Sequence, residues 1–210
     1  MIWFPKKSPN IYGKMIYTKF NIEEIKEKLR GCLNDERYLH SIGVMEKSVE
    51  LAKRFNCDVE KAEIAGLLHD CAKCFSKEEM QKYLYCLKDE EKQSVKTWHA
   101  PIGAIIAKNE YGIEDEDILS AIRWHTIGRT GMSDFEKIIF IADKIEHRTR
   151  EKELQEPIER ALNTNNSLDE AMLKSFKITI ESLIKRNLPI CFQTIEVYNC
   201  FINSIPNIPN

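Results

Sequence analysis

The sequence predicts an all-α domain, and three observations carry that expectation. Glycine and proline are scarce, eight and seven residues in a chain of 210, which disfavours a sandwich or barrel built on tight turns. No stretch shows a convincing apolar–polar alternation of period two, the mark of a half-buried strand. N-capping residues open one helically patterned stretch after another, because their side chains satisfy backbone N–H groups that a first helical turn leaves free.

In chain order, Asn21 caps a helix from Ile22 to about Leu33, with Glu23 and Glu24 in the first turn, where the helix dipole favours acids. Asp35 caps the next, Glu36 to Phe55, in which Leu39, Ile42, Val44, Met45, Val49 and Ala52 include several helical spacings. Asp58 begins a third, with Ile64, Leu67, Leu68 and Cys71 as one stripe. Ser76 and Glu79 form a capping box for a short helix. Pro101 stands just inside the start of another, which runs to Tyr111 and stops at Gly112. A further helix covers about Asp115 to His125, and Gly128 and Gly131 then make a loop. Ser133 and Glu136 form a second capping box, opening a helix through Ile145. Ser167 and Glu170 open a long one ending near Asn187 and Pro189, and a last helix covers about Thr194 to Phe201. There is no internal repeat.

The organisation expected is an N-terminal arm (1–20), one helical domain (21–202) and a C-terminal tail (203–210). The arm carries Lys6, Lys7 and Lys14 but no apolar h-region, so it does not read as a secretory signal, and Met15 could be the true start. No apolar run approaches the roughly 20 residues that span a bilayer. A net charge of -2 provides no basic field for nucleic acid, and no basic, aromatic-rich strip exists. The seven cysteines are odd in number and lack framework spacing, which points to reduced thiols in a cytoplasmic protein. Cys71 and Cys74 make a CxxC without a second pair, and read as part of that reduced set. A helical surface could support a homodimer.

The chemistry lies in the histidines. Of five, four directly follow a large apolar residue: Leu39-His40, Leu68-His69, Trp98-His99 and Trp124-His125. A lone histidine on an apolar stripe is ordinarily a satisfied core residue. Four on separate helices, with carboxylates, point to a shared interior site. The fifth, His147, lies in a charged stretch and is expected in solvent. Asp70 follows His69, and Asp143 sits inside an isoleucine-rich run, where a carboxylate needs an Arg, a Lys or a cation to be buried. Imidazole and carboxylate suit iron, manganese, cobalt or zinc. One metal takes three or four protein ligands, so six candidates imply two divalent metal ions sharing a carboxylate.

His40, Leu68-His69-Asp70, His99, His125 and Asp143 resemble the ordered ligand set of HD-superfamily phosphohydrolases. Arg37-Tyr-Leu-His40, Gly66-Leu-Leu-His69-Asp70-Cys-Ala-Lys73, His99-Ala-Pro-Ile-Gly103, His125-Thr126-Ile-Gly128-Arg-Thr-Gly131-Met132 and Lys137-Ile-Ile-Phe-Ile-Ala-Asp143-Lys-Ile-Glu146 with Arg148 resemble the YqeK-type family of symmetrical diadenosine tetraphosphate hydrolases. The resemblance covers about Asn21 to Phe201; Ile127 stands where a second threonine is usual, and the arm is additional to the family pattern. It implies an HD-type helical bundle that binds two iron ions and cleaves diadenosine tetraphosphate into two ADP by a metal-bridging hydroxide. It also implies that His40, His69, Asp70 and Asp143 hold one ion, and Asp70, His99 and His125 the other, with Asp70 as bridge and catalytic carboxylate.

Lys73 is placed to stabilise phosphate charge, as a catalytic and nucleotide-binding residue. Thr126, Gly128 and Gly131 could offer backbone N–H groups to phosphate, and Arg37 and Arg148 bidentate contacts. For each of these six residues an ordinary structural role, a solvated lysine near a helix end, a turn or a surface ion pair, stands beside the functional one. Trp98 and Trp124, each next to a proposed ligand, could stack on a base but are expected in the core. Two other readings remain open: a nucleotidase or phosphodiesterase acting on another nucleotide, and a non-catalytic nucleotide sensor.

Overall fold

A computed structural model describes residues 21–204; the expected arm and the tail beyond 204 lie outside the described residues. It contains ten α-helices and, among the described residues, no strand. They are α1 (Ile22–Arg30), α2 (Asp35–Arg54), α3 (Val59–Leu68), α4 (Lys77–Gln81), α5 (His99–Tyr111), α6 (Glu116–Trp124), α7 (Asp134–Ile145), α8 (Lys152–Thr164), α9 (Leu168–Lys185) and α10 (Phe192–Ser204). Three short 3₁₀ turns, Leu84–Cys86, Asp89–Lys92 and Val95–Thr97, connect α4 to α5.

The centre of the bundle is α7. Its consecutive Ile138, Ile139, Phe140, Ile141 and Ala142 are all buried, so this stretch is apolar all round, as a helical segment surrounded by other helices must be. It packs against α2, α3, α6, α8 and α9. Phe140 stacks on Phe176 of α9 with ring centroids 5.2 Å apart, and Phe176 lies 6.1 Å from Phe201 of α10. α2 packs on both α3 and α7, α5 packs on α6, and α6 meets α3 and α7. The helix ends carrying the histidines are thereby gathered around one wall of α7.

Asn21, Asp58, Ser76, Ser133 and Ser167, at the helix starts the sequence marks, all accept hydrogen bonds from first-turn N–H groups, and so does Asp115, expected as the first residue of its helix. Four details differ from expectation. The cap of α2 is Asn34, whose side chain accepts from Arg37 N, and Asp35 is the first helical residue. α1 ends at Arg30, and α10 is longer than expected, starting at Phe192 and reaching Ser204, beyond the boundary at 202. α8 was not anticipated, and it carries in its interior Pro157, which lacks the N–H a helix needs. Packing compensates: Ile158 and Leu162 are buried, and Gln155 Nε2 donates to Glu146 O at 3.0 Å and Arg150 O at 2.5 Å. No helix among the described residues is long and apolar enough to cross a membrane.

Candidate metal centre

The six candidate ligands converge. His40 projects from the second turn of α2, His69 and His125 are the residues that close α3 and α6, His99 opens α5, and Asp143 lies in the last turns of α7. All six, Asp70 included, are at most 5% exposed. Their rings meet edge to face, with centroid separations of 5.1 Å for His40–His69, 4.9 Å for His69–His125 and 5.3 Å for His99–His125.

Each of three imidazoles is oriented through Nδ1. His69 Nδ1 donates to Gly66 O and His125 Nδ1 to Ile122 O, both at 2.7 Å, each bond closing the helix end on which the ring sits. His40 Nδ1 donates to Glu146 Oε1 at 3.2 Å and lies 3.1 Å from the Thr149 hydroxyl. These bonds leave the Nε2 lone pairs pointing inward. His69 Nε2 and His40 Nε2 face one another at 3.3 Å, and Asp143 Oδ1 lies 3.0 Å from His40 Nε2 and 3.8 Å from His69 Nε2. Acceptors converging in this way call for a cation between them.

Asp70 divides its two oxygens. Oδ2 faces His69 Nε2 at 3.7 Å, while Oδ1 faces His99 Nε2 at 3.2 Å and His125 Nε2 at 3.4 Å. His40, His69 and Asp143 form one group of donors close enough to hold a cation, and His69, Asp70 and His125 form a second. His99 is turned towards Asp70 but also lies 3.0 Å from the Lys73 ammonium.

The electrostatics agree. Burial holds His69 down to about 3 and His99 down to about 4, so both stay neutral donors near pH 7. Burial opposes the charging of His40 as well, but Asp143 and Glu146 outweigh it and raise its proton affinity; the same carboxylates raise its affinity for a metal. Burial works against ionisation of Asp70 and Asp143. The neighbouring His69, His125 and His99 for the first, and Lys144 and Arg150 for the second, nonetheless hold both well below the usual carboxylate range.

The HD domain family matches residues 37–148 of the sequence. The chain belongs to that family. The symmetrical bis(5'-nucleosyl)-tetraphosphatase of Bacillus subtilis (strain 168) is 39% identical over 186 residues, covering 87% of this chain and 98% of the relative. The protein of the same name in Staphylococcus aureus (strain NCTC 8325 / PS 47) is 35% identical over 187 residues, covering 86% and 94%. A crystal structure described as a predicted HD superfamily hydrolase involved in NAD metabolism, from Clostridium acetobutylicum, superposes with a TM-score of 0.81 at 39% identity over 90% of this chain and all of that one.

Around the donors of this HD domain the basic residues divide. Arg37 Nη1 lies 3.6 Å from Asp70 Oδ2. Lys73 sits in the turn after α3, in contact with His99, and burial lowers its proton affinity against the pull of Asp70 and Asp143. Arg148, by contrast, is committed to Glu46 at 2.6 Å and 2.8 Å in an exposed pair. The guanidinium at the centre is instead that of Arg150, 2.5 Å from Asp143 Oδ1 and 3.4 Å from His40 Nε2, with Lys144 Nζ 2.6 Å from Asp143 Oδ2. Arg150, Lys144 and Glu146 were not singled out from sequence; the signal available was their place within seven residues of Asp143 in a charged run closing an apolar helix.

Thr126 follows His125 and has a buried hydroxyl with no partner. Gly128 and Gly131 both take φ of 68°, a conformation that favours glycine. A Cβ on Gly128 would also press on Phe176 at 3.0 Å, so that glycine is required by packing. His147 is largely exposed, and Trp98 and Trp124 are buried. All seven cysteines are free, with Cys71 buried and Cys74 exposed.

Proposed function

We propose that this chain hydrolyses diadenosine tetraphosphate symmetrically, giving two ADP, in a dinuclear centre held by His40, His69, Asp70, His99, His125 and Asp143. The observation that carries the reading is the division of Asp70, one oxygen towards His69 and the other towards His99 and His125. It is the disposition that a bridge between two ions requires. Near-complete coverage of relatives named for this activity supports the choice of substrate.

Two divalent ions in such a site supply an activated water near neutral pH and Lewis-acid stabilisation of phosphoryl charge. The donor set suits iron, manganese, cobalt or zinc, and the family resemblance favours iron. The chain's own residues do the rest. Gly66 O, Ile122 O and Glu146 fix the imidazole tautomers. Arg37 and Lys73 border Asp70, and Arg150 and Lys144 border Asp143, so cationic groups are ready to meet the polyphosphate and the departing ADP. The seven cysteines, odd in number and without framework spacing, favour a reducing, cytoplasmic setting.

The test is product analysis with metal-loaded protein, run beside Asp70→Ala. The expected result is two equivalents of ADP from wild type and none from the variant. ATP plus AMP, or turnover only of a different nucleotide, would overturn the substrate reading. Equal inertness of both proteins with nucleotide still bound would mark a sensor.

A further inference from the structure

Two clefts of equal size, about 420 Å³ each, lie beside the proposed ligands, and Thr179 of α9 lines both. One is lined by residues next to His99 and His125, the other by residues in contact with Asp143. The first reaches Thr126, the neighbour of His125, and Thr97, two residues before His99. Its walls are substantially aliphatic, with Val95, Ile127, Leu183 and Leu188, and Lys96 is the one cation in its lining. Val95 is 42% exposed although apolar, and the Thr126 hydroxyl is buried without a partner. The second reaches Lys144 and Arg150, the two cations on Asp143, is closed by Arg186 with Ser175 and Ser182, and has an apolar wall of Leu154, Ile158 and Ile178 that can cover a base.

An aliphatic cleft with a lone hydroxyl suits a nucleoside: the walls cover the faces of a base and the hydroxyl meets a sugar or phosphate oxygen. A cleft with three cations suits phosphates, and arginine provides the planar fork that phosphate oxygens accept. We propose that these are two unequal nucleotide half-sites, the Thr126 cleft holding one nucleoside diphosphate half of the substrate and the Lys144–Arg150–Arg186 cleft the other. This rests on the dinucleoside tetraphosphate reading, whose substrate has two like ends joined through phosphates. The different linings make the two ends bind with different affinity, and they assign Arg186 and Leu183, both distant from the metal ligands in sequence, to substrate recognition.

Calorimetric titration of the metal-loaded protein with ADP tests this separately from hydrolysis. Wild type should take up two ADP per chain in distinguishable steps. Arg186→Glu, at the exposed end of α9 where folding tolerates it, should weaken one step at least tenfold and leave the other. Leu183→Glu should weaken the opposite step, and Val95→Asp, at the exposed rim, reports the same cleft should Leu183→Glu fail to fold. One ADP per chain, unchanged by Arg186→Glu, overturns the half-sites, as does loss of the same step in both variants. If wild type releases two ADP from diadenosine tetraphosphate but binds only one ADP, the half-sites fall alone. If it binds two ADP in the predicted steps without hydrolysing the dinucleotide, the half-sites stand and the hydrolysis reading falls.

Discussion

Glu146 is fully buried and accepts from four donors: His40 Nδ1 at 3.2 Å, Arg148 N at 2.6 Å, Thr149 N at 3.0 Å and the Thr149 hydroxyl. Burial opposes its ionisation, but the bonds from His40 and Thr149 outweigh that and bring it down to about 2. In Glu146→Gln the shape is kept, one oxygen still accepts from His40, and the other becomes an NH₂ facing the Arg148 N–H. The loss is about one charge-assisted hydrogen bond plus one stranded donor, on the order of 2–4 kcal/mol of stability. The imidazole also loses the anionic partner that orients it and raises its basicity, and loss of such a partner typically costs about 10–100-fold in metal affinity. Chelator competition at fixed pH, with chemical denaturation alongside, measures both quantities. The expected result is a weakened site at His40–His69–Asp143 with a lesser effect on the site containing His125. Metal affinity within about twofold of wild type for both ions would refute the view that Glu146 positions His40.

A Cβ at Gly43 would collide with the Glu146 carboxylate, so Gly43→Ala should cost about 1–3 kcal/mol in denaturant melts and release metal more readily. Arg148→Ala should cost under about 1 kcal/mol and leave turnover near wild type, since its pair with Glu46 is exposed; Arg150→Ala should lower kcat by about tenfold or more, because a charge in contact with Asp143 is lost. A tenfold loss in Arg148→Ala, or none in Arg150→Ala, would reverse the assignment. For Glu136, burial works against ionisation, but Arg129 and Ser120 outweigh it and lower its pKa in the folded state. Its contribution is therefore present above the unfolded carboxylate pKa of about 4.3 and is lost as pH falls through the folded value. The stability gap between wild type and Glu136→Gln in urea melts should be constant near neutrality and shrink below about pH 4; a gap that widens on acidification would contradict the sign.

What the sequence made legible were features carried by local pattern. Caps such as Ser133 with Glu136 are decided within four residues, so their helices could be read directly. The six proposed ligands stood out because buried imidazoles and acids are costly wherever they lie, whatever the path of the chain between them. Features decided by tertiary contact were not legible. α8 forms despite Pro157 because Ile158 and Leu162 have α9 and α7 to pack on and Gln155 has carbonyls to bind. The choice between Arg148 and Arg150 depends on which side of the turn after α7 faces Asp143, and two residues along an irregular segment reverse that side. The contact of Lys73 is likewise tertiary: the end of α3 at Leu68 places it in a turn that folds its ammonium back onto His99.

The charges at the centre form a system with a purpose beyond holding metal. Two carboxylates, Asp70 and Asp143, are matched by Arg37, Arg150 and Lys144 in direct contact, with Lys73 behind His99. For stability alone, such a concentration of buried charge is a poor choice, since apolar residues of similar volume are often as stabilising. Its value is in what it meets. Divalent ions would neutralise the acids, leaving the basic groups uncompensated around the cluster. A substrate that brings several negative charges in a chain would complete the balance, and a neutral ester would not. On the proposed function the basic groups that border the acids would select for polyphosphate, and Lys144 and Arg150 would do so by the same interaction that keeps Asp143 ionised.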